Sequence, residues 1–295
     1  MRTFFRLVRI AFWRGLEHDQ FAVAKAGAFS AIMTLFPAVL LIATILTASH
    51  STAAFVREIS YALGRIMPSG TSQTVLQYFQ GTKPKPFGRL FTMSIITLWT
   101  ASGVMISWME GFRKAYHLPK VWGMFKERMV AFLLVVMAGL PMAFASFLVA
   151  FGNQIERWMI FHSGHELGAY ILGMWTALRW IISTLTSIAV IALIYHHGLP
   201  RTQPWHRVLP GAVLATVAWF ASTIIFGYYL RHFASYNEIY GSVGSAIALL
   251  VWLYIISLVV LVGAEFNALR YPRYLFGAHS EIRFNSELDK GEDGK

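Results

Sequence analysis

Glu265 and Asn267 are polar side chains at the end of Val243–Phe266, a stretch that is otherwise almost continuously apolar. An ionisable group in or beside hydrocarbon is costly, so it normally faces a partner or water. Glu110 closes another apolar stretch and Lys25 precedes a third. A polar gate or proton site would form if Lys25 paired with Glu110 or Glu265. The alternative is three interfacial charges meeting headgroups separately, with Glu110 paired locally to Arg113 or Lys114. Arg179 is a further cation in apolar surroundings. If its helix starts near Ala169, Arg179 lies about 15 Å deep and is suited to an anionic ligand. If the helix starts near Trp175, Arg179 snorkels at the interface beside Trp175 and Trp180. Arg179 to Tyr195 alone is about 24 Å, most of a bilayer, which favours the interfacial placement.

Other chemistries lack their residues. Cysteine is absent, which excludes disulfides, thiol catalysis and thiolate metal sites. His162-Ser163-Gly164-His165-Glu166 lacks the helical His-Glu-x-x-His spacing of a zinc protease and reads as a wet loop, so no metal is expected. His196, His197 and His206 decorate another loop, where they would gain charge near pH ~6.5. No Gly-x-x-x-x-Gly-Lys-Ser/Thr phosphate loop occurs, and no cofactor is expected.

The elements that must hold these residues follow from composition. Of 295 residues, 56% are hydrophobic and only 13% charged, and the mean hydropathy is +0.54. Ordinary soluble domains carry about 25% charged residues, so a soluble domain and a disordered chain are both excluded. A spanning helix needs about 20 apolar residues. Six stretches qualify: Ala26–Ser49, Leu90–Trp108, Met129–Gly152, Trp175–Tyr195, Val208–Leu230 and Val243–Phe266. The ten-residue alternation of an outer-membrane barrel does not occur. The fold class is all-α, a polytopic membrane protein with six transmembrane helices and amphipathic flanking helices.

The net charge of +11 would point to nucleic acid in a soluble protein. In a membrane protein it reports orientation. The N-terminal segment, the second and fourth loops and the tail hold 17 of the 25 Lys and Arg, so both termini are expected in the cytoplasm. The first loop also carries Arg57, Arg65, Lys83, Lys85 and Arg89, but a long loop tolerates translocated charge. Residues 1–25 read as a cytoplasmic amphipathic segment and 26–275 as the transmembrane domain. An external amphipathic loop spans 50–88, and 276–295 read as a disordered cytoplasmic tail. Small-xxx-small pairs, Ser242 with Ala246, Gly211 with Ala215 and Gly139 with Ala143, are expected to let helices approach closely. Pro37 and Pro141 are expected to kink the first and third spanning helices, either as ordinary kinks or as the lining of a cavity.

The last third carries a recognisable signature. Tyr240-Gly241-Ser242-Val243-Gly244-Ser245-Ala246, then Leu249 to Tyr254 with Trp252, then Gly263-Ala264-Glu265-Phe266-Asn267, closely resemble the YihY/BrkB family of bacterial inner-membrane proteins. Leu209-Pro210-Gly211-Ala212 with Trp219, Ala28-Phe29-Ser30 through Leu35-Phe36-Pro37, and Trp99-Thr100-Ala101-Ser102-Gly103 extend the resemblance over roughly residues 5–275. It implies a six-helix inner-membrane protein with cytoplasmic termini. Members are associated with serum resistance and envelope lipid export, and some carry an old ribonuclease label. The family supplies no established catalytic residues.

Three functions compete. A transporter or flippase of lipid or amphiphilic envelope substrates would use the prolines and the hydroxyls of Thr97, Thr100, Ser102, Ser183, Thr184 and Ser187. A non-transporting envelope scaffold would spend those hydroxyls on helix packing and expose an apolar seam to a protein partner. A nuclease would need clustered carboxylates or histidines and a grip on nucleic acid, and the scattered acids provide neither. The expected partners are membrane lipids and envelope proteins, without nucleic acid, and no enzyme activity is expected.

Overall fold

The computed structural model describes residues 2–48, 86–163, 168–232 and 236–271. Within them lie seven helices: α1 Arg2–Glu17, α2 Gln20–Ala48, α3 Pro86–Ala115, α4 Met124–Ser163, α5 Gly168–His197, α6 Trp205–His232 and α7 Tyr236–Arg270. Six of them, α2 to α7, are long and apolar enough to span a membrane. Each spanning helix packs on its neighbours in chain order, and α7 closes the ring by packing on α2, with a further contact across to α3. The all-α, six-span architecture is therefore present. The external loop and the tail fall almost wholly outside the described residues, as do Gly164, His165 and Glu166.

Several boundaries differ from the sequence-based expectation. The first spanning helix begins at Gln20 rather than Ala26, so Lys25 lies in its second turn. The cause is local: Asp19 adopts a left-handed conformation at φ 56°, which Asp tolerates, and ends α1 abruptly. Its carbonyl then accepts the amides of Ala22 and Val23, starting α2 at once. Helix α4 has 40 residues, about 60 Å, and so overshoots the hydrocarbon by about half its length. Both α2 and α4 remain helical through Pro37 and Pro141, so neither proline breaks its helix.

Fully buried large side chains gather at one end of the bundle. Phe112, Leu199, Val208 and Leu261 pack in one cluster where α3, α6 and α7 carry Arg113, Lys114, Arg207 and Arg270. We call this the basic end. Mid-helix residues such as Leu140, Phe144, Ile224 and Ile225 are largely exposed, as a lipid-facing surface would be. Outside the ring, α1 packs on α7 through its Ala11 side, while Phe5, Phe12, Trp13 and Leu16 stay exposed among Arg6 and Arg9. That is the pattern of a helix lying in a membrane interface.

One small-residue seam is used and one is not. Gly211 on α6 meets Gly263 on α7 so closely that a Cβ at Gly211 would overlap the Gly263 carbonyl and the Asn267 amide. Gly139 faces open space with Ala143 beside it exposed, so that pair packs no helix. Gly211→Ala is accordingly expected to destabilise the bundle by about 1–3 kcal/mol, as overpacking does. Gly139→Ala should be silent or mildly stabilising, since it also removes a helix-interior glycine. Unfolding midpoints in an SDS titration check both.

Candidate functional site

Glu265 is completely buried at the basic end. Its Oε1 accepts from Gln20 Nε2 at 2.8 Å and lies 2.8 Å from His18 Nδ1. Gln20 Nε2 also donates to the Gly111 carbonyl at 2.9 Å, so one side chain ties α2 to both α3 and α7. Gly111 makes room for it: a Cβ there would lie 2.6 Å from Gln20 Oε1. Glu265 Oε2 and Gln20 Oε1 are buried with no hydrogen-bond partner. A buried polar atom left in that state is costly, and such atoms mark sites that bind a proton, water or ligand.

His18 links this interior to the surface. It touches Glu265 on one side and, with Asp19, Glu110, Lys114 and His117, lines an open cleft of about 440 Å³ on the other. The rims of the cleft are joined by Lys114, which lies 3.8 Å from Asp19 and 3.7 Å from Glu110. Tyr116 closes the network from behind, donating to Gln203 Oε1 at 3.2 Å. Burial first, and then the Glu265 carboxylate, push its phenol above the ordinary range, outweighing the Gln203 hydrogen bond. Tyr116 therefore stays neutral and remains a donor.

Asn267 lies two residues from Glu265 and so faces the opposite side of α7. Its Oδ1 accepts the Gly211 amide at 2.7 Å and its Nδ2 donates to the Val208 carbonyl at 3.0 Å, straddling Pro210, which has no amide hydrogen. Tyr195 donates to the Val260 carbonyl at 2.6 Å and stacks edge-on against Phe112. Beside the cleft, Glu127 forms a buried ion pair with Arg113 and a second at 3.1 Å with Lys120.

Glu265 is thus brought together with His18 and Gln20 rather than with Lys25, which is exposed and forms no ion pair among the described residues. Glu110 pairs with Lys114 one turn on, and Arg113 turns away to Glu127. The helix bearing Arg179 starts at Gly168, which puts Arg179 about 16 Å along it; the side chain is half-buried. Tyr240 and Gly241 lie within α7, which begins at Tyr236 rather than at the expected Val243. Gly244, Gly263 and Ala264 are buried, and Trp252 is half-buried. Of the hydroxyls, Ser102 bonds the Trp99 carbonyl, Ser187 that of Ser183 and Thr100 that of Ile96. Such bonds to the preceding turn are the usual way a lone hydroxyl is satisfied in a helix. His196 does not merely decorate a loop but stacks on Trp205 with ring centroids 4.4 Å apart. Among the described residues no three His, Asp or Glu side chains gather to hold a metal ion.

Residues 11–281 match the family described as virulence factor BrkB. The chain belongs to that family. It is 30% identical to the ribonuclease-like protein YfkH of Bacillus subtilis over 189 residues, 63% of this chain and 67% of the relative. It is 25% identical to a UPF0761 membrane protein of Tolumonas auensis, covering 87% of this chain and 83% of the relative. A UPF0761 membrane protein of Pseudoalteromonas atlantica is 27% identical over 81% of this chain and 77% of the relative. No solved structure matches. This BrkB-family chain is a multi-pass membrane protein, and Glu265 and Asn267 both lie within the matched region.

Proposed function

We propose that this BrkB-family protein resides in the bacterial inner membrane with both termini in the cytoplasm. There it passes a lipid or other amphiphile across the bilayer without hydrolysing nucleotide, through a pathway gated at the basic end. The observation that carries this reading is Glu265, a wholly buried acid with one oxygen unpartnered, joined through His18 to a wet cleft. A purely structural role would call for full satisfaction of its oxygens or for an apolar replacement. A gate needs a group whose state can change, and His18 supplies a route by which a proton could reach Glu265. The His18–Gln20–Glu265 contacts hold α2, α3 and α7 together, so loosening them opens the sealed end of the ring. In this reading the protein is not an enzyme, and Arg179 serves towards the other end of the pathway.

The test is scrambling of fluorescent phospholipids in liposomes holding the purified protein. Glu265→Gln keeps the shape and one acceptor but cannot ionise, and it is expected to slow scrambling by at least about tenfold. Unchanged scrambling by a folded Glu265→Gln protein would remove Glu265 from the mechanism, and inactivity of the wild type with every lipid tried would remove the transport reading. One observation favours an envelope scaffold instead: Val121, Met124 and Phe125 are 67%, 83% and 81% exposed beside the cleft. Apolar side chains that exposed suit a protein partner.

A further inference from the structure

Arg128 sits in the second turn of α4, close enough to the basic end for its side chain to snorkel out to water. It turns the other way. Its Nη1 donates to Ser102 Oγ at 2.8 Å, and its guanidinium carbon lies 4.7 Å from the centre of the Trp99 ring. Ser102 is at the middle of the apolar stretch Leu90–Ala115, about 18 Å along α3 from either end. Trp99 is nearly a turn further from the basic end. A guanidinium that is charged at every accessible pH is therefore held at mid-depth by a hydroxyl and an aromatic face.

No carboxylate among the described residues lies within ion-pair distance of Arg128. The adjacent Glu127 is already taken by Arg113 and Lys120, which leaves an excess of positive charge on this part of α4. Guanidinium offers five N–H donors, and among the described residues only Ser102 is seen to accept from it. The environment is apolar and accessible: Trp99 is 57% exposed, and Ile95, one turn away, is exposed as well. Phe132 packs on Trp99 from α4. An unpaired intramembrane cation with free donors, beside an exposed apolar stripe, has the chemistry of an amphiphile's anionic headgroup site.

We infer that Arg128, oriented by Ser102 and Trp99, binds the phosphate of a membrane phospholipid in the groove between α3 and α4. The planar fork matches phosphate oxygens, and the Trp99–Ile95 stripe receives the acyl chain. Free phosphate offers the same anion but has no use for the stripe. The inference deepens the proposed transport by naming a substrate class. For the step after binding it rests on that reading, and binding itself is measured separately.

The experiment is lipid retention by the delipidated full chain in detergent, read by native mass spectrometry. The probes are phosphatidylglycerol, diacylglycerol with the same chains, and inorganic phosphate. Phosphatidylglycerol is expected to bind and diacylglycerol is not, and Arg128→Gln is expected to weaken phosphatidylglycerol binding at least about tenfold. Arg128→Lys, which keeps the charge but not the fork, should fall between. Equal binding by wild type and folded Arg128→Gln overturns the site, as does equal binding of diacylglycerol. Displacement of the lipid by millimolar inorganic phosphate overturns the lipid assignment in favour of a free anion. Should Arg128→Gln fail to fold, Ser102→Ala and Trp99→Leu carry the same test, each expected to weaken binding about threefold; no loss in either overturns the site. A wild type that binds through Arg128 yet scrambles nothing overturns transport and leaves the site standing.

Discussion

Glu127→Ala is expected to cost about 3 kcal/mol of stability, the lower end of what breaking a buried ion pair costs. The carboxylate is 4% exposed and serves two cations, Arg113, itself 10% exposed, and Lys120, which is 55% exposed. Lys120 loses little, because water can replace its partner. Arg113 bears the cost: its guanidinium would remain at the junction of α3 and α4 with no anion. The lower end applies because Arg113 also lines the open cleft, where water can reach part of it. Arg113→Leu should be milder, since Glu127 keeps Lys120 at 3.1 Å. Combining Glu127→Ala with Arg113→Leu should recover most of the loss, because the desolvation cost of the pair disappears with the pair. SDS titration of the four proteins makes a double-mutant cycle. A Glu127→Ala protein as stable as wild type would mean that the ion pair contributes nothing to holding α3 on α4.

The spans and their number were legible in the sequence because a long apolar run has no other stable place to go. Boundaries were less so. Composition places the start of the first span six residues late because Gln20 and Lys25 are polar residues within a stretch that reads as amphipathic; only the left-handed Asp19 shows that a new helix starts at Gln20. Glu265 stood out as a polar residue closing an apolar run, but its partners did not. Gln20 and His18 lie 245 and 247 residues away in sequence, and nothing in local pattern encodes that pairing. Spacing alone also misled: Gly139 and Ala143 have the same interval as Gly211 and Ala215, yet only the latter face a neighbouring helix. Gly263, the true partner of Gly211, was visible only as part of a motif. Arg128 was hidden for a different reason, since it is one of five cations in a loop region whose charge is explained by topology. Only the direction of its side chain distinguishes it from the rest.

Asn267→Ala is expected to cost about 2–4 kcal/mol, because it strips two buried backbone groups of a partner at once. The Gly211 amide and the Val208 carbonyl flank Pro210. A proline six residues into α6 contributes no amide hydrogen and crowds the carbonyl one turn back, so the helix is weakest where α7 crosses it. Asn267 offers an acceptor to one side of that defect and a donor to the other, which no other residue type of its size does. The substitution series is therefore informative beyond its size. Asn267→Asp keeps the acceptor for Gly211 but sets a carboxylate against the Val208 carbonyl, so it should be at least as damaging as alanine despite being nearly isosteric. Asn267→Leu fills the space but satisfies neither group, and Gly211 allows no larger side chain to approach. All three variants should unfold at lower SDS than wild type, with aspartate no better than alanine. If aspartate proved as stable as asparagine, the donor arm to Val208 would be dispensable and the α6–α7 crossing would rest on the Gly211–Gly263 contact alone.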